Sequence, residues 1–301
     1  MEVNNSIPCL DKKHPNYERW KRGRDLAIER GNFAKSILKQ TLHLNNLNVL
    51  DLGSGEGGAA FVLSDKNSVV SLDINRVRLK RQDQKFGKNN FSRPNSDDSN
   101  KILPADEILE QFHSVKIKKV NGSALVLPFA ANSFDIIILQ DVIEHIEQTQ
   151  IIIEEIHRVL KPQGVLYLST PNKLSVFNII SDPHWGMPFL SLLNRQKIKN
   201  FYLKRFRKIE MHRTDIAELL SLNDLLKFFS NFFQVRLFTT YTVKELLNGN
   251  KGIVWSDFHL SLMKIIKKTR IDRVLISAAN DKFGIINKYL TPTFYMVLIK
   301  Q

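Results

Sequence analysis

Apolar residues fall along this chain in two rhythms. Short, mostly apolar runs occur at 47–52, 68–72, 115–120, 134–139 and 165–169, and each is followed by glycine or a polar residue. The run at 134–139, "FDIIIL", is apolar on both faces of a period-two strand, as a parallel strand covered by helices requires. Between the runs the spacing turns helical. Gly58 to Ser64 reads as a helix start, and Thr149 can cap a helix through "QIIIEEIHRVL", stopped by Pro162 and Gly164. Strands alternating with helices predict an α/β fold, a doubly wound Rossmann-like sheet.

The second half changes character. Residues 173–218 read as helical or irregular, rich in aromatics and bases. Ser221 can cap a helix through "LNDLLKFF", a strand follows at 233–239, and a last strand at 294–299 closes the chain. The count reaches seven strands. The material around the two late strands predicts a helical lid. One domain is expected over 1–301: a helical cap at 1–46, a core at 47–172, and lid or substrate-binding insertions at 173–232 and 244–290. The polar stretch 86–100, "FGKNNFSRPNSDDSN", reads as a solvated insertion.

Composition changes this picture only in part. The chain has 301 residues, enough for a full core, with 43% hydrophobic and 25% charged content, ordinary for a globular protein. Cys9 is the single cysteine, which leaves no disulfide framework and no thiolate cluster, and no metal-ligand set is assigned. The first residues lack a basic start followed by an apolar block, and no apolar run reaches the roughly 18 residues of a spanning helix. A cytoplasmic protein is expected. The formal net charge of +14 favours polyanions, anionic lipid surfaces or phosphorylated substrates, although a lysine-rich composition accounts for it equally well.

The chemistry concentrates in "VLDLGSGEGG", residues 49–58. Gly53, Gly55 and Gly58 satisfy the dinucleotide fingerprint G-x-G-x-x-G, and Asp73 follows at the distance of a ribose-binding acid. A pyrophosphate, however, would meet Asp51 and Glu56. Each like-charge pair at about 4–6 Å costs roughly 3–4 kcal/mol at an effective dielectric near 20. A nucleoside with a cationic tail reverses that sign. No G-K-[ST] follows the glycines, which disfavours a nucleoside triphosphate.

Four ordered blocks carry a resemblance. "VLDLGSGEGG", "VVSLDIN", "NGSALVLPFAANSFDIIILQDVIEHI" and "EIHRVLKPQGVLYLSTPN" resemble the blocks of class I S-adenosylmethionine (AdoMet)-dependent methyltransferases, in the small-molecule branch that includes the ubiquinone-biosynthesis enzymes. The match covers residues 47–172, with a weaker echo at 221–239 and in the last strand. It implies AdoMet as cofactor, a seven-stranded sheet with an antiparallel last strand, and methyl transfer to a small or carrier-linked, acidic metabolite. O-methylation is the preferred reaction, with an RNA methyltransferase or a non-catalytic AdoMet-binding protein as alternatives. Nucleic acid is not the preferred partner.

The resemblance also implies roles. Gly53, Ser54, Gly55, Glu56 and Gly57 would line the methionine part of AdoMet, with Asp51 attracting its ammonium. Asp73 would accept the ribose hydroxyls and Ile74 would pack on adenine. Ser123, beside Ala124, stands where the family usually has an aspartate for the adenine amino group, and a hydroxyl accepts more weakly. Gln140 and Asp141 end the fourth strand, where open α/β sheets place ligands. A hydroxyl acceptor needs a base, and His145 in "IEHI" and His184 in "SDPHWGMP" are the catalytic candidates. The family often carries a histidine at the first position whatever its substrate, so a structural or cofactor-adjacent place is also open to His145. His157 is expected on the surface. In the N-terminal segment, Tyr17, Trp20 and Arg24 could touch ligand, but core and surface roles are preferred.

Finally, 195–213 holds eight Lys/Arg and one acid, interleaved with Phe201, Tyr202 and Phe206, and 264–273 adds more bases. This mixture suits a phosphorylated or lipid-linked acceptor, an anionic membrane face or RNA, or simply a solvated surface. A peripheral contact with the inner membrane face is the corresponding expectation.

Overall fold

The computed structural model describes residues 26–86, 91–92, 117–213, 215–253 and 265–301, together with Tyr17 and Lys21. Trp20, Arg24, Lys264 and most of the polar stretch 86–100 lie outside the described residues.

The strands are β1 (Asn48–Leu52), β2 (Ser68–Asp73), β3 (Phe91–Ser92), β4 (Ile117–Asn121), β5 (Phe134–Gln140), β6 (Leu160–Pro171), β7 (Phe233–Leu237) and β8 (Thr293–Lys300). They form one sheet in the order β3–β4–β2–β1–β5–β6–β8–β7. Seven are those expected from the sequence, and β3 adds a two-residue pairing on the edge of β4. β1 lies parallel between β2 and β5, with Leu50 between Val70 and Ile137. β8 is antiparallel to both neighbours, placing Val165 opposite Ile299 and Val235 opposite Leu298. Every parallel strand therefore ends at one edge of the sheet, and that edge carries the polar residues discussed below.

Both faces are covered, and strand alternation sorts the side chains. Leu50, Leu52, Val70, Leu72, Ile137, Leu139, Leu166 and Leu168 pack on one side. The helix Thr149–Val159 covers them with Ile152, Ile153, Ile156 and Val159, a spacing of three and four that makes one apolar stripe. The helix Leu222–Phe229 joins this core and begins with a capping box. Ser221 accepts from the Asp224 amide at 3.2 Å, and Asp224 accepts from the Ser221 amide at 2.9 Å. On the other face Val49, Val69, Ile136, Ile138, Tyr167 and Val297 pack against Phe33, Ile37, Ala59 and Ala60. Each such side chain removed from water contributes roughly 1.5–3 kcal/mol.

Two local expectations change. Thr149 does not cap its helix. Gln148 takes the half-in position, with no side-chain cap, and Thr149 is the first helical residue. The fifth strand starts at Leu160 rather than 165. Phe134 faces Leu160 while Ile136 faces Val165, so the intervening residues, with Pro162 and Gly164, form a bulge inside it.

Helix Ala27–Leu38 crosses helix Gly58–Leu63 backbone to backbone. A Cβ on Gly58 would lie 1.9 Å from the Ala27 carbonyl oxygen, and one on Gly31 would lie 2.5 Å from the Gly58 oxygen. This contact brings Arg30 to the polar edge. A smaller core of Trp185, Leu190, Ile198, Tyr202, Leu203 and Ile216 lies apart from the sheet. Buried Asn172, at the end of β6, donates to the carbonyl oxygens of Asn287, Lys288 and Thr291, tying the last helix to the sheet edge.

Candidate active site

The chain leaves β1 in a turn only glycine fits. Gly53, Gly55 and Gly57 have φ of +70°, +50° and +74°. The amides of Gly53 and Ser54 donate to the Leu72 oxygen at 2.8 and 3.0 Å, folding the turn onto β2. A Cβ on Gly53 would lie 2.6 Å from Val142, and one on Gly57 would lie 2.7 Å from Gln82. A Cβ on Gly55 would meet nothing closer than 3.8 Å, so this glycine faces open space where a ligand's chain can lie against backbone. Gln82 holds the turn from behind, donating to Ser54 Oγ at 3.0 Å and to the Gly55 oxygen at 2.9 Å.

Two buried acids flank the turn. Asp51 Oδ2 accepts from the Ala60 amide at 3.1 Å. Burial pushes Asp51 up to about 7; the Ala60 bond opposes this and the charge of Asp73 adds to it. Asp73 accepts from the amides of Gly55 at 2.8 Å and Asn75 at 2.7 Å. Neither acid has an ion-pair partner among the described residues. Glu56 does: it pairs with Arg81 at 2.9 Å. The negative field therefore comes from Asp51 and Asp73, and Glu56 contributes little to it. Beside them Ile74 is 78% exposed, an apolar face open to a flat ligand. Ser123 Oγ accepts from the Leu125 amide at 3.2 Å, and Ala124 packs against the sheet core. This donor set rejects a diphosphate and fits a nucleoside with a cationic tail.

A second cluster lies at the ends of β5 and β6. Gln140 pairs in register with Ser169. Asp141 follows with a φ of +53°, uncommon without glycine. It accepts from Ser169 Oγ at 2.8 Å and is ion-paired with Arg30. Val142, the neighbour of Gly53, joins this cluster to the glycine turn. In the turn Ile143–His145, Glu144 Oε2 accepts from Thr170 Oγ1 at 2.9 Å. Its Oε1 is buried and accepts no hydrogen bond among the described residues. Burial pushes the Glu144 carboxyl up to about 8, with the Asp141 charge adding to it. His145 Nδ1 is 3.0 Å from the main-chain oxygen of Asp215. A carbonyl only accepts, so Nδ1 carries the proton and Nε2 keeps its lone pair. Burial holds His145 below its ordinary value, hence neutral.

The loop after β6 brings His184 to this cluster. Asp182 Oδ1 accepts from the amides of His184 and Trp185 at 2.8 and 2.9 Å, and Gly186, at φ +69°, donates back to the Asp182 oxygen. Trp185 packs edge-on to Tyr202 at 5.7 Å beneath the Arg213 guanidinium. His184 Nε2 thereby lies 3.9 Å from Glu144 Oε1, and its ring is edge-to-face with His145 at 5.1 Å. The two histidines singled out from the sequence thus meet. Arg30, Gln82, Glu144 and Thr170 were not singled out. Of these, Glu144 and Thr170 lay within recognised blocks. His157 is partly exposed, its ring 5.1 Å from Phe232.

Residues 50–168 match the family described as methyltransferase domain. The chain is 31% identical over 137 residues to arsenite methyltransferase of Mus musculus, covering 42% of this chain and 31% of that protein. It is 30% identical over 125 residues to glycine/sarcosine/dimethylglycine N-methyltransferase of Actinopolyspora halophila, covering 41% and 18%. The matches thus span a third or less of these relatives' own length. Among solved structures, phosphoethanolamine N-methyltransferase 2 of Haemonchus contortus, in complex with S-adenosyl-L-methionine, is 15% identical with a TM-score of 0.47, covering 95% of this chain and 58% of that one.

Proposed function

We propose, from the match of residues 50–168 to the methyltransferase-domain family, that this chain is a class I AdoMet-dependent methyltransferase that methylates a hydroxyl of a small or carrier-linked metabolite. The observation that carries this reading is the contact of Gly53 with Val142. It sets a glycine turn, flanked by two buried acids without an ion-pair partner among the described residues, directly beside a cluster holding two imidazoles.

Gly53 to Gly57 would lie along the methionine part of the cofactor. Asp51 attracts its ammonium, Asp73 accepts from the ribose hydroxyls, and Ile74, Ser123 and Ala124 border the adenine. AdoMet supplies an activated methyl on a sulfonium, so the protein chiefly aligns the acceptor and excludes water. Gln140 and Asp141 face the junction between donor and acceptor. His145, neutral and with Nε2 unprotonated, accepts the hydroxyl proton as the methyl transfers, and His184 positions the acceptor beside it. The described parts of 173–232 and 244–290 would form the acceptor-binding cover, with Asn172 holding 287–291 to the sheet edge.

The acceptor is acidic or lipid-linked. Phe201, Lys204, Arg205 and Lys208 line a shallow depression with Asn200, and Phe201 and Phe206 stand exposed among the exposed bases Lys197, Lys199, Lys204 and Arg205. That mixture supports peripheral contact with an anionic membrane face. No helix among the described residues is long and apolar enough to cross a membrane. A second reading, an amine acceptor, draws on Glu144, whose buried Oε1 could accept a hydrogen bond from an amine.

The test is S-adenosylhomocysteine release with hydroxyl and amine acceptor panels. Release with hydroxyl compounds is expected. Release with amines alone would overturn O-methylation, and AdoMet binding without release across both panels would leave a binding protein only.

A further inference from the structure

We infer that Glu144, His145 and His184 form a binding site for one divalent first-row metal ion, beside the acceptor position. Their ligand atoms, one carboxylate oxygen and two imidazole nitrogens, all lie within 4.8 Å of one another. Two atoms on a shared ion stand about 3–4.3 Å apart, given metal–ligand bonds near 2.1 Å, so small side-chain movements close the set.

The surroundings hold each group ready. Glu144 Oε2 is held by Thr170, which leaves Oε1 buried and without a hydrogen bond among the described residues, 3.9 Å from His184 Nε2. The Glu144 main-chain oxygen accepts from Arg195 at 3.0 Å and from the Glu218 amide at 2.8 Å, fixing the backbone that carries the ligand. His145 spends its Nδ1 proton on the Asp215 carbonyl, and that bond turns Nε2 into the donor atom, as outer partners of metal-bound histidines do. The Asp182 turn orients His184. Asp141 is a neighbour rather than a ligand, since Ser169 and Arg30 already occupy its two oxygens. The Arg30 charge offsets that of Asp141, and Glu144 remains the acid that a cation would satisfy.

Two imidazoles and one carboxylate suit Mn2+, Fe2+, Co2+ or Zn2+ better than Mg2+ or Ca2+. Three protein ligands leave positions open. Resting on the proposed methyl transfer to a hydroxyl, those positions take the acceptor hydroxyl and a second adjacent oxygen, which makes a vicinal diol or hydroxycarbonyl the favoured acceptor class. With the ion bound, His145 Nε2 is a ligand rather than the base, and the ion lowers the hydroxyl's pKa so that its proton leaves to solvent. The sequence alone hid this set, because His184 lies far from the Glu144–His145 pair along the chain.

The test uses the full chain, stripped with a chelator and dialysed, and Co2+ as the probe, followed by visible absorption and calorimetry. One Co2+ per chain is expected, with His145→Ala and His184→Ala each weakening uptake at least tenfold. Hyperfine-shifted imidazole resonances from two histidines in the unmutated protein give a readout independent of the variants. AdoMet affinity is measured on the same samples. AdoMet binding without saturable Co2+ uptake overturns the metal site and leaves the proposed function. Co2+ uptake without AdoMet binding upholds the site and removes that function. Uptake by both variants equal to that of the unmutated protein, or no shifted imidazole signals, overturns the site.

Discussion

Asp73 Oδ2 accepts the Gly55 amide at 2.8 Å, so the acid at the end of β2 shapes the glycine turn at the end of β1. The same carboxylate is the proposed ribose acceptor. Asp73→Asn keeps the shape but removes the charge. At about 1.5–3 kcal/mol for hydrogen bonds to a charged group, AdoMet affinity should fall roughly ten- to a hundredfold. Calorimetry on both proteins checks this, and equal affinities would remove the ribose role.

Asp51 gives a pH dependence of unusual sign. Its carboxyl titrates at about 7 in the fold against 3.8 ordinarily, chiefly because burial penalises the charge. The folded state therefore holds this proton more tightly than the unfolded chain. The stability contribution is greatest below about pH 4 and is lost as pH rises to about 7. At about 1.4 kcal/mol per pKa unit the loss is on the order of 4 kcal/mol. Urea unfolding of Asp51→Asn should lack this slope. AdoMet binding should show the opposite trend, strengthening up to about pH 7 as Asp51 ionises, and the asparagine variant should be flat.

The close crossing of helices Ala27–Leu38 and Gly58–Leu63 makes two glycines irreplaceable. Gly58→Ala and Gly31→Ala each place a methyl against backbone. Overpacking costs roughly 1–3 kcal/mol, and the displaced Arg30 should weaken the Asp141 cluster as well. Gly284→Ala is the control, since a Cβ there meets nothing within 4 Å and its φ is ordinary. Denaturant midpoints should fall for the first two and stay within experimental error for the third.

Charge reversal at Lys204 and Arg205 tests the basic face. Each Lys or Arg near an anionic bilayer is worth about 1 kcal/mol. Co-sedimentation with phosphatidylserine vesicles should drop at least tenfold in Lys204→Glu/Arg205→Glu, with AdoMet affinity unchanged. Undiminished sedimentation would remove the membrane contact.

Much of the fold was legible because burial on both faces leaves a plain mark. β5 reads as "FDIIIL" and is buried from Ile136 to Leu139. The Ser221–Asp224 capping box was half visible in Ser221 alone, and the glycine turn was visible in its spacing. What stayed hidden were side-chain partners distant in sequence. Arg30 meets Asp141 across 111 positions, and Gln82 reaches Ser54 across 28. Helical spacing says which face is buried, not which polar residue on it reaches another element. Glu56 illustrates the converse: its sequence neighbours suggested a free acid, and Arg81 from the next helix neutralises it.

The electrical sign of the glycine turn decides which nucleoside it holds, and competitive calorimetry on the full chain reads that sign. Saturable uptake of AdoMet and of S-adenosylhomocysteine is expected, weakened in Asp51→Asn for AdoMet, with no uptake of NADH or FAD. Tight binding of NADH or FAD, with no heat from either AdoMet or S-adenosylhomocysteine, would contradict it.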